Sequence, residues 1–283
     1  MCDICVMNTV KDKMLSRRDL FKTGAAGAAA TVTASAISPS PVIAAGHGRV
    51  EDMTHELHED FPTYFGKSQF SRKQVFNHAE HGFSGFVYTI DEHTGTHIDA
   101  PLHFAAGGQS VAEIPVSNLI APLCVIDIAD RAEADPDTQV TPDDIKAWIS
   151  ANGDVPQNAC VAMHSGWGRH VNTDKFRNAD GDGTQHYPGF HGEAAKMLME
   201  ETTAASIAVD TLSLDHGASQ DFATHFSWLP SGRFGIECIA NLDKMPASGA
   251  TLVVGAPKVK DGTGACIRHG LIAVIPFPAP PRR

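Results

Sequence analysis

Apolar runs of strand length recur along the chain, at residues 84–90, 120–128, 159–163, 205–210, 251–254 and 271–275. Several of these runs do not alternate between apolar and polar positions, which is typical of strands that are covered on both faces. Helical and turn-rich stretches separate the runs. The pattern therefore predicts a buried sheet with helices packed against it, which is the α/β class.

Two of the intervening stretches carry helix signals. Thr141 is a predicted N-cap and Pro142 suits the first helical position, ahead of two acids and residues 145–150. Residues 191–202 are rich in Ala, Glu, Lys, Met and Leu, which favour helices. Residues 46–283 contain no long flexible linker, internal repeat or charge block, so we predict a single α/β domain over this range.

Potential metal ligands and proton donors are most concentrated in residues 93–104, which read HTGTHIDAPLHF. This segment supplies His93, His97, Asp99 and His103. If this segment runs as a strand, alternation places the first two histidines and the aspartate on one face. Gly95 then leaves a gap between the histidines for a metal and its water. Imidazoles and one carboxylate suit Zn²⁺, Mn²⁺ or Fe²⁺. The alternative is that each histidine is an ordinary surface or core residue.

Pro101 cannot donate to a sheet ladder, so we expect the strand to end there and His103 to lie on the exit turn. A histidine just beyond the ligands is well placed to move protons for a metal-activated water. A metal lowers the pKa of such a water from about 15.7 toward roughly 7, so no serine or cysteine nucleophile is needed. The segment therefore predicts hydrolytic chemistry.

The string HTGTHIDAPLHF resembles the signature of the metal-dependent cyclase-like hydrolases, the family of bacterial kynurenine formamidase and isatin hydrolase. Residues 209–215, VDTLSLD, are similar to a second block of that family. In THFSWLPSGRFGIECIANL, His225 and Glu237 stand twelve residues apart, as two metal ligands of the formamidases do. Residues 249–275 resemble the C-terminal strands. The resemblance extends from about residue 50 to residue 277.

The resemblance implies a swivelling β/β/α fold with its strands curled around the metal site. It implies that His93, His97 and Asp99 hold one Zn²⁺ or Mn²⁺. It also implies that Asp99 bridges to a second metal on His225 and Glu237, although some relatives are thought to use one metal. His103 would be the general acid/base. Family members are usually dimers or tetramers, so a homodimer or homotetramer is expected.

One position departs from the family pattern. His164 stands where many relatives have arginine, so a substrate-orienting arginine is not carried over. Asp210 and Asp215 are candidates for carboxylates that support metal-bound histidines. Turn-forming or strand-end acids are the alternative account of both.

The site favours hydrolysis of a non-peptide C–N amide bond in a small aromatic substrate, although a lactone could also fit. Phe83, Phe104 and Trp167 are candidate pocket residues, with core packing as the alternative. An isatin-type cyclic amide and an N-formyl aryl amine both fit, and the second would make the protein a kynurenine formamidase proper. A non-catalytic periplasmic protein that binds a metal or ligand is a further alternative. His103 argues against it, because a metal store needs no proton shuttle.

Residues 16–22, SRRDLFK, form a twin-arginine pattern, and an uncharged, Ala-rich run follows at 23–45. We interpret residues 1–45 as a signal peptide for export to the periplasm after folding, with cleavage near Ala45. Two prolines and weak hydrophobicity argue against a membrane span. A flexible soluble extension is the alternative.

The chain carries a net charge of −11. Residues 1–45 hold five Lys and Arg against three Asp and Glu, so the charge of residues 46–283 is −13. Such an acidic chain argues against nucleic acid or an anionic membrane as a partner. Cys2 and Cys5 lie in the signal segment and are a poor metal or redox pair. Cysteines 124 and 160 fall in apolar runs and are predicted core residues, and disulfide pairing stays open.

Overall fold

Nine strands form one mixed sheet at the centre of the domain, in the order β1-β13-β11-β5-β7-β9-β10-β4-β12. The computed structural model describes residues 48–267 and 271–276, all within one unit that spans Gly46–Arg283. The predicted signal peptide, residues 1–45, lies outside the described residues. The strands of this sheet are β1 (Arg49–Asp52), β4 (His97–Asp99), β5 (Ile120–Asp127), β7 (Cys160–His164), β9 (Ser206–Val209), β10 (Phe234–Glu237), β11 (Ala250–Val254), β12 (Gly264–Cys266) and β13 (Leu271–Ile275).

The central strands β5, β7, β9 and β10 run parallel to one another. Every residue of β9 is buried, and so are four of the five residues of β7. Side chains that point to opposite faces of these strands pack in two separate apolar cores, one containing Ala162 and the other Val161. The prediction of strands covered on both faces is therefore confirmed for the middle of the sheet.

Five α-helices lie in the described part of the chain: α1 (His78–His81), α2 (Ala129–Ala134), α3 (Pro142–Asn152), α4 (Gly192–Glu201) and α5 (Ala223–Trp228). Helices α3 and α4 bury apolar side chains such as Trp148 and Leu198 in the same core as Val161. Both predicted helices are confirmed. Thr141 and Asp144 form a capping box at the start of α3, in which the Asp144 carboxylate accepts from the Thr141 hydroxyl and backbone N–H, both at 2.8 Å.

Short elements complete the described structure. Strands β2 (Phe70–Phe76) and β3 (Gly85–Ile90) form a separate hairpin, and β6 (Gln139–Val140) pairs with β8 (Gly189–Phe190). The 3₁₀ turns are Pro101–His103, Val111–Glu113, Val116–Asn118, Trp167–His170, Asp174–Phe176, Leu229–Ser231 and Leu242–Lys244. No helix in the described ranges is long and apolar enough to cross a membrane.

All six apolar runs contain strands, which confirms the α/β class. The run at 84–90 differs from the others because its strand, β3, lies in the outer hairpin and is largely exposed on both faces. Cys124 and Cys160 are buried, unbridged thiols, and burial raises the pKa of each to about 12. Both are therefore core residues, as predicted.

The sheet positions the candidate site through its shortest strands. β4 lies between β10 and β12 and runs antiparallel to both. In this register His97 is the partner of Glu237 in β10, and Asp99 is the partner of Gly264 in β12. Two residues distant in sequence from the HTGTHIDAPLHF segment are thereby brought beside its histidine and aspartate.

Candidate metal site and cavity

The segment at 93–104 is a strand over only three residues, His97–Asp99. His93 precedes the strand, and Gly95 adopts a left-handed φ of 67°, which favours glycine. A side chain at Gly95 would also approach Leu57 at 3.2 Å. The prediction of a strand through His93 is therefore wrong, whereas Gly95 does line the cavity that contains both histidines. A tight turn, instead of alternation, brings His93 to the site.

Asp99 lies at the centre of the site and is 1% exposed. Its Oδ1 atom lies 2.6 Å from His93 Nδ1 and 3.3 Å from His97 Nε2. Its Oδ2 atom lies 3.5 Å from His225 Nε2. The two oxygens of one carboxylate therefore face different groups of histidines, which is the arrangement that a bridging ligand requires.

Glu237 closes the other side of the site. Its Oε2 atom lies 3.3 Å from His97 Nε2, and its Oε1 atom lies 3.2 Å from His225 Nε2. Oε1 also accepts a hydrogen bond from the backbone N–H of Leu214 at 2.9 Å. The five predicted ligands are thus brought together at one place by β4, β10, α5 and the turn before β4.

The donor set fits a divalent cation. Two ligand atoms at about 2.1 Å from one metal lie roughly 3.0–3.4 Å apart, and the His97, His225 and Glu237 contacts have this spacing. His97 Nε2 and Asp99 Oδ2 are buried without a hydrogen-bond partner in the described structure. Buried polar atoms are normally satisfied, so two such atoms at one centre point to a cation as the missing partner.

In His97 and His225, the ring nitrogen that faces away from Asp99 and Glu237 donates a hydrogen bond, as is typical of metal-binding histidines. His97 Nδ1 donates to the carbonyl of Gly95 at 2.9 Å, and His225 Nδ1 donates to Asp215 Oδ2 at 2.6 Å. The nitrogens that remain both point toward Asp99 and Glu237. Asp215 therefore supports a histidine of the site, one of the two roles considered for it.

Asp210 has the other role. Its buried carboxylate accepts hydrogen bonds from the backbone N–H groups of Ser165 and Trp167 and from the Ser165 hydroxyl. It therefore fixes the turn that follows β7 and makes no contact of this kind with a site histidine. His164 lies at the same turn, where its Nδ1 faces Asp127 Oδ1 at 3.3 Å, outside the lining of the metal-site cavity.

The electrostatics of the site favour bound positive charge. Burial opposes a charge on His97, but the carboxylates of Asp99 and Glu237 outweigh it and hold the pKa of His97 well above its usual range. Burial likewise opposes charge on Asp99, yet the surrounding histidines hold the pKa of Asp99 well below its usual range. Protons and metal ions therefore compete for the same positions.

His103 lies at the end of the 3₁₀ turn Pro101–His103, which confirms its predicted place on the exit turn. Its ring stacks on His93 with centroids 3.9 Å apart. One of its ring nitrogens lies within 4.8 Å of His93 and Asp99 ligand atoms. Desolvation lowers the pKa of His103 to about 4, so its imidazole is neutral at neutral pH.

A cavity of about 550 Å³ opens above these residues. Its floor contains the five predicted ligands and His103, and its walls are largely apolar. Phe104 lines the wall as predicted, with its ring 4.7 Å from the ring of His225. The other apolar and aromatic walls are Pro62, Tyr64, Phe65, Leu212 and Phe222. The volume suits a small aromatic ligand.

The predicted pocket residues Trp167 and Phe83 do not line this cavity in the described chain. Trp167 is buried in a separate apolar cluster and donates its indole N–H to the carbonyl of Phe176. Phe83 packs on Phe76 at the outer hairpin, with ring centroids 4.9 Å apart. Nearness in sequence to the motifs was the only signal for both residues. Tyr64 and Phe65 were missed because they lie far from the motifs in sequence, whereas Phe222 lies close to His225 and was overlooked although the same signal reaches it.

Three comparisons relate this chain to known proteins. Residues 51–216 match the sequence profile of the protein family described as "Putative cyclase". An isatin hydrolase from Roseibium aggregatum is 34% identical over 195 residues, which cover 66% of this chain and 73% of that protein. A kynurenine formamidase from Geobacillus thermodenitrificans is 37% identical over 79 residues, 28% of this chain and 38% of that protein.

The solved structure of isatin hydrolase A from Ralstonia solanacearum is similar over 87% of this chain and 100% of its own. The TM-score is 0.76 and the sequence identity is 30%. The swivelling β/β/α fold expected from the resemblance is therefore confirmed.

Proposed function

Because the chain belongs to the cyclase family, we propose that it is a metal-dependent hydrolase that opens an uncharged cyclic amide of the isatin type. The observation that carries this proposal is the convergence of three histidines and two carboxylates at the floor of an apolar, aromatic-walled cavity. The similarity to an isatin hydrolase over most of that protein's length agrees with it.

His93, His97 and Asp99 would hold one metal ion, and Asp99, His225 and Glu237 a second. A divalent cation at this place supplies positive charge that polarises a carbonyl oxygen and acidifies water. Both Zn²⁺ and Mn²⁺ suit imidazole and carboxylate ligands. Asp99 and Glu237 orient their oxygens toward the histidines, and Leu214 N–H fixes one Glu237 oxygen in place.

His103 moves the proton. Since its pKa is lowered to about 4, its imidazole is free to accept the proton of the attacking water. Water adds to the amide carbon, the C–N bond breaks, and His103 returns the proton to the leaving nitrogen. For a cyclic amide the ring opens to a single product, which carries an aryl amine and a carboxylic acid that loses its proton to solvent.

The cavity walls favour an uncharged aryl substrate. Phe104 and Phe222 have ring centroids 6.2 Å apart, and Phe222 and Tyr64 lie 6.1 Å apart, so a ring can pack among them. Among the described residues that line the cavity, none is Lys or Arg, while Asp91 is acidic. N-formylkynurenine carries an α-carboxylate beside its ammonium group, and that carboxylate finds no Lys or Arg partner there.

A kynurenine formamidase is the second candidate, supported by the 79-residue similarity to the Geobacillus thermodenitrificans protein. The isatin-type proposal and this one differ in both the bond that is cleaved and the presence of charged groups on the substrate. A third compound, formanilide, separates these two variables because it is an N-formyl aryl amine without the amino-acid group.

The test compares kcat/KM for isatin, formanilide and N-formylkynurenine with the metal-loaded chain. We expect isatin to be the best substrate and formanilide to be preferred over N-formylkynurenine. Preference for N-formylkynurenine over both would establish the formamidase instead. No turnover of any of the three, with metal bound, would contradict both candidates and leave either a hydrolase of another substrate or a protein that binds a metal or ligand without catalysis.

A further inference from the structure

We propose that Glu92 and Thr263 form a positioning pair that sets the tautomer of His93, so that its Nδ1 lone pair is free for a metal. The inference rests on the proposed metal site. Thr263 lies 170 residues from His93 in sequence, and its hydroxyl lies 3.0 Å from His93 Nε2. Glu92 Oε2 lies 2.5 Å from the same hydroxyl.

The direction of these hydrogen bonds follows from the donors available. An ionised carboxylate only accepts, so Glu92 receives the Thr263 hydroxyl proton and the Thr263 backbone N–H, the latter at 3.1 Å. The hydroxyl has a single proton, which is then used. Its oxygen can therefore only accept from His93, which places the proton of a neutral imidazole on Nε2.

The consequence appears at the other nitrogen. With Nε2 protonated, His93 Nδ1 carries a lone pair and faces Asp99 Oδ1 at 2.6 Å. Two acceptors at this distance repel each other unless a cation lies at the site. The pair therefore prepares His93 as a metal ligand in the same way that Gly95 prepares His97 and Asp215 prepares His225.

Glu92 is necessary because a hydroxyl can either donate or accept a hydrogen bond. A carbonyl or a carboxylate behind a histidine accepts and cannot donate, so the partners of His97 and His225 fix the tautomer unaided. Thr263 alone could donate to Nε2 and place the proton on Nδ1 instead. Glu92 removes that option by taking the hydroxyl proton.

The glycines on either side of Thr263 leave room for these contacts. A Cβ atom at Gly264 would come within 2.5 Å of His93 Cε1, and a Cβ atom at Gly262 would come within 3.1 Å of Glu92 Oε1. Glycine on both sides of Thr263 lets Glu92 and His93 approach the turn closely. These close approaches explain why glycine stands on both sides of Thr263, in addition to any role of the glycines in the turn.

The test uses Thr263→Val, which keeps the shape of the side chain and removes the hydroxyl, with Thr263→Ser as the conservative variant. In the full chain loaded with Zn²⁺, nitrogen NMR of labelled histidine reports which ring nitrogen of His93 carries the proton. We expect the Nε2–H form in the unaltered chain and in T263S, and a mixture with the Nδ1–H form in T263V. Mn²⁺ affinity, from competition with a chelator, should fall about 10–100-fold in T263V alone.

Glu92→Ala and Glu92→Gln test the same positioning role without changing Thr263. These two variants provide the test if T263V does not fold. E92A frees the hydroxyl and should mix the tautomers, whereas E92Q keeps an acceptor oxygen and should preserve the Nε2–H form. Thr202→Val is the matched control, since it removes a hydroxyl that donates to Leu198 at 2.6 Å, outside the cavity.

The positioning role would be overturned if His93 keeps its proton on Nε2 in both T263V and E92A and the Mn²⁺ affinity of both variants is unchanged. Failure of the unaltered chain to bind any metal would overturn the proposed function. That failure would overturn the positioning role as well, whereas the preceding outcome overturns the positioning role alone.

Discussion

His103 differs from the other imidazoles of the site because none of the described residues hydrogen-bonds to its ring. Its stacking on His93 holds the ring plane without engaging its nitrogens. We predict that His103→Ala lowers kcat by about 10²–10⁴-fold while the metal content is unchanged. Turnover and metal content of the same preparation check this. His78→Ala, an exposed histidine outside the cavity, is the control, and full turnover in H103A would contradict the assignment.

At single residues, the sequence predicted the groups that converge but not how they do so. His97, Asp99 and His103 follow from local spacing, because a strand and the turn after it fix their positions. His93 required a left-handed turn at Gly95, which the pattern of apolar and polar residues does not encode. The contribution of Thr263 was beyond the reach of any local pattern, since it depends on a contact between segments 170 residues apart.

At the scale of elements, strands and helices with strong apolar or capping signals were predicted well. β5, β7 and α3 agree with expectation to within about two residues. β10 was not predicted as a strand, because four residues carry too little pattern, and β4 was expected as part of a longer strand that began at His93. Their pairing is nevertheless what joins His97 to Glu237. The resemblance supplied this pair, and the register between strands distant in sequence explains it.

The cap of α3 makes a testable contribution to stability. The Thr141 hydroxyl and the Asp144 carboxylate satisfy the first turn of the helix. We predict that Thr141→Ala lowers the free energy of unfolding by about 1 kcal/mol, because orphaned backbone groups lose their partner. Denaturant unfolding measures this. Thr138→Ala in the preceding loop should change it by less than about 0.5 kcal/mol, and an equal loss in both variants would contradict the capping role.

His186 stabilises the loop before β8 through a contact with Asp137. His186 Nδ1 lies 2.8 Å from Asp137 Oδ2, and that hydrogen bond raises the pKa of His186 above its usual value of 6.5. A raised folded-state pKa stabilises the protein below pH 6.5, and the stabilisation is lost as pH rises through the folded value.

We therefore predict that His186→Gln lowers the unfolding free energy in mild acid by about 0.2–1 kcal/mol, because the group is partly exposed, and has little effect in alkali. Thermal unfolding across this pH range measures the difference. Asp137→Asn should show the same loss in mild acid. An effect of His186→Gln that is independent of pH would exclude the ion pair as its cause.

At the scale of the whole molecule, export stays a prediction, because residues 1–45 lie outside the described structure. If Arg17 and Arg18 direct twin-arginine export, the double variant R17K/R18K should leave the enzyme in the cytoplasm. Cell fractionation with an activity assay measures this, and the unaltered chain is the reference. Equal periplasmic activity of both chains would contradict the signal.

Assembly into a homodimer or homotetramer also stays a prediction. The β2–β3 hairpin carries exposed apolar side chains, among them Val87 at 55% and Tyr88 at 53% exposure. An isolated hairpin of this kind has little stability of its own. This agrees with the expectation that other protein surface covers it.

The central claim is that the cluster around Asp99 holds a metal on which hydrolysis depends. The most direct measurement is isatin turnover by the full chain before metal removal, after removal by a chelator, and after return of Mn²⁺ or Zn²⁺. We predict that turnover is lost on removal and restored on return, with one or two metal ions bound per chain at full activity. Undiminished turnover by the metal-free chain would contradict the account.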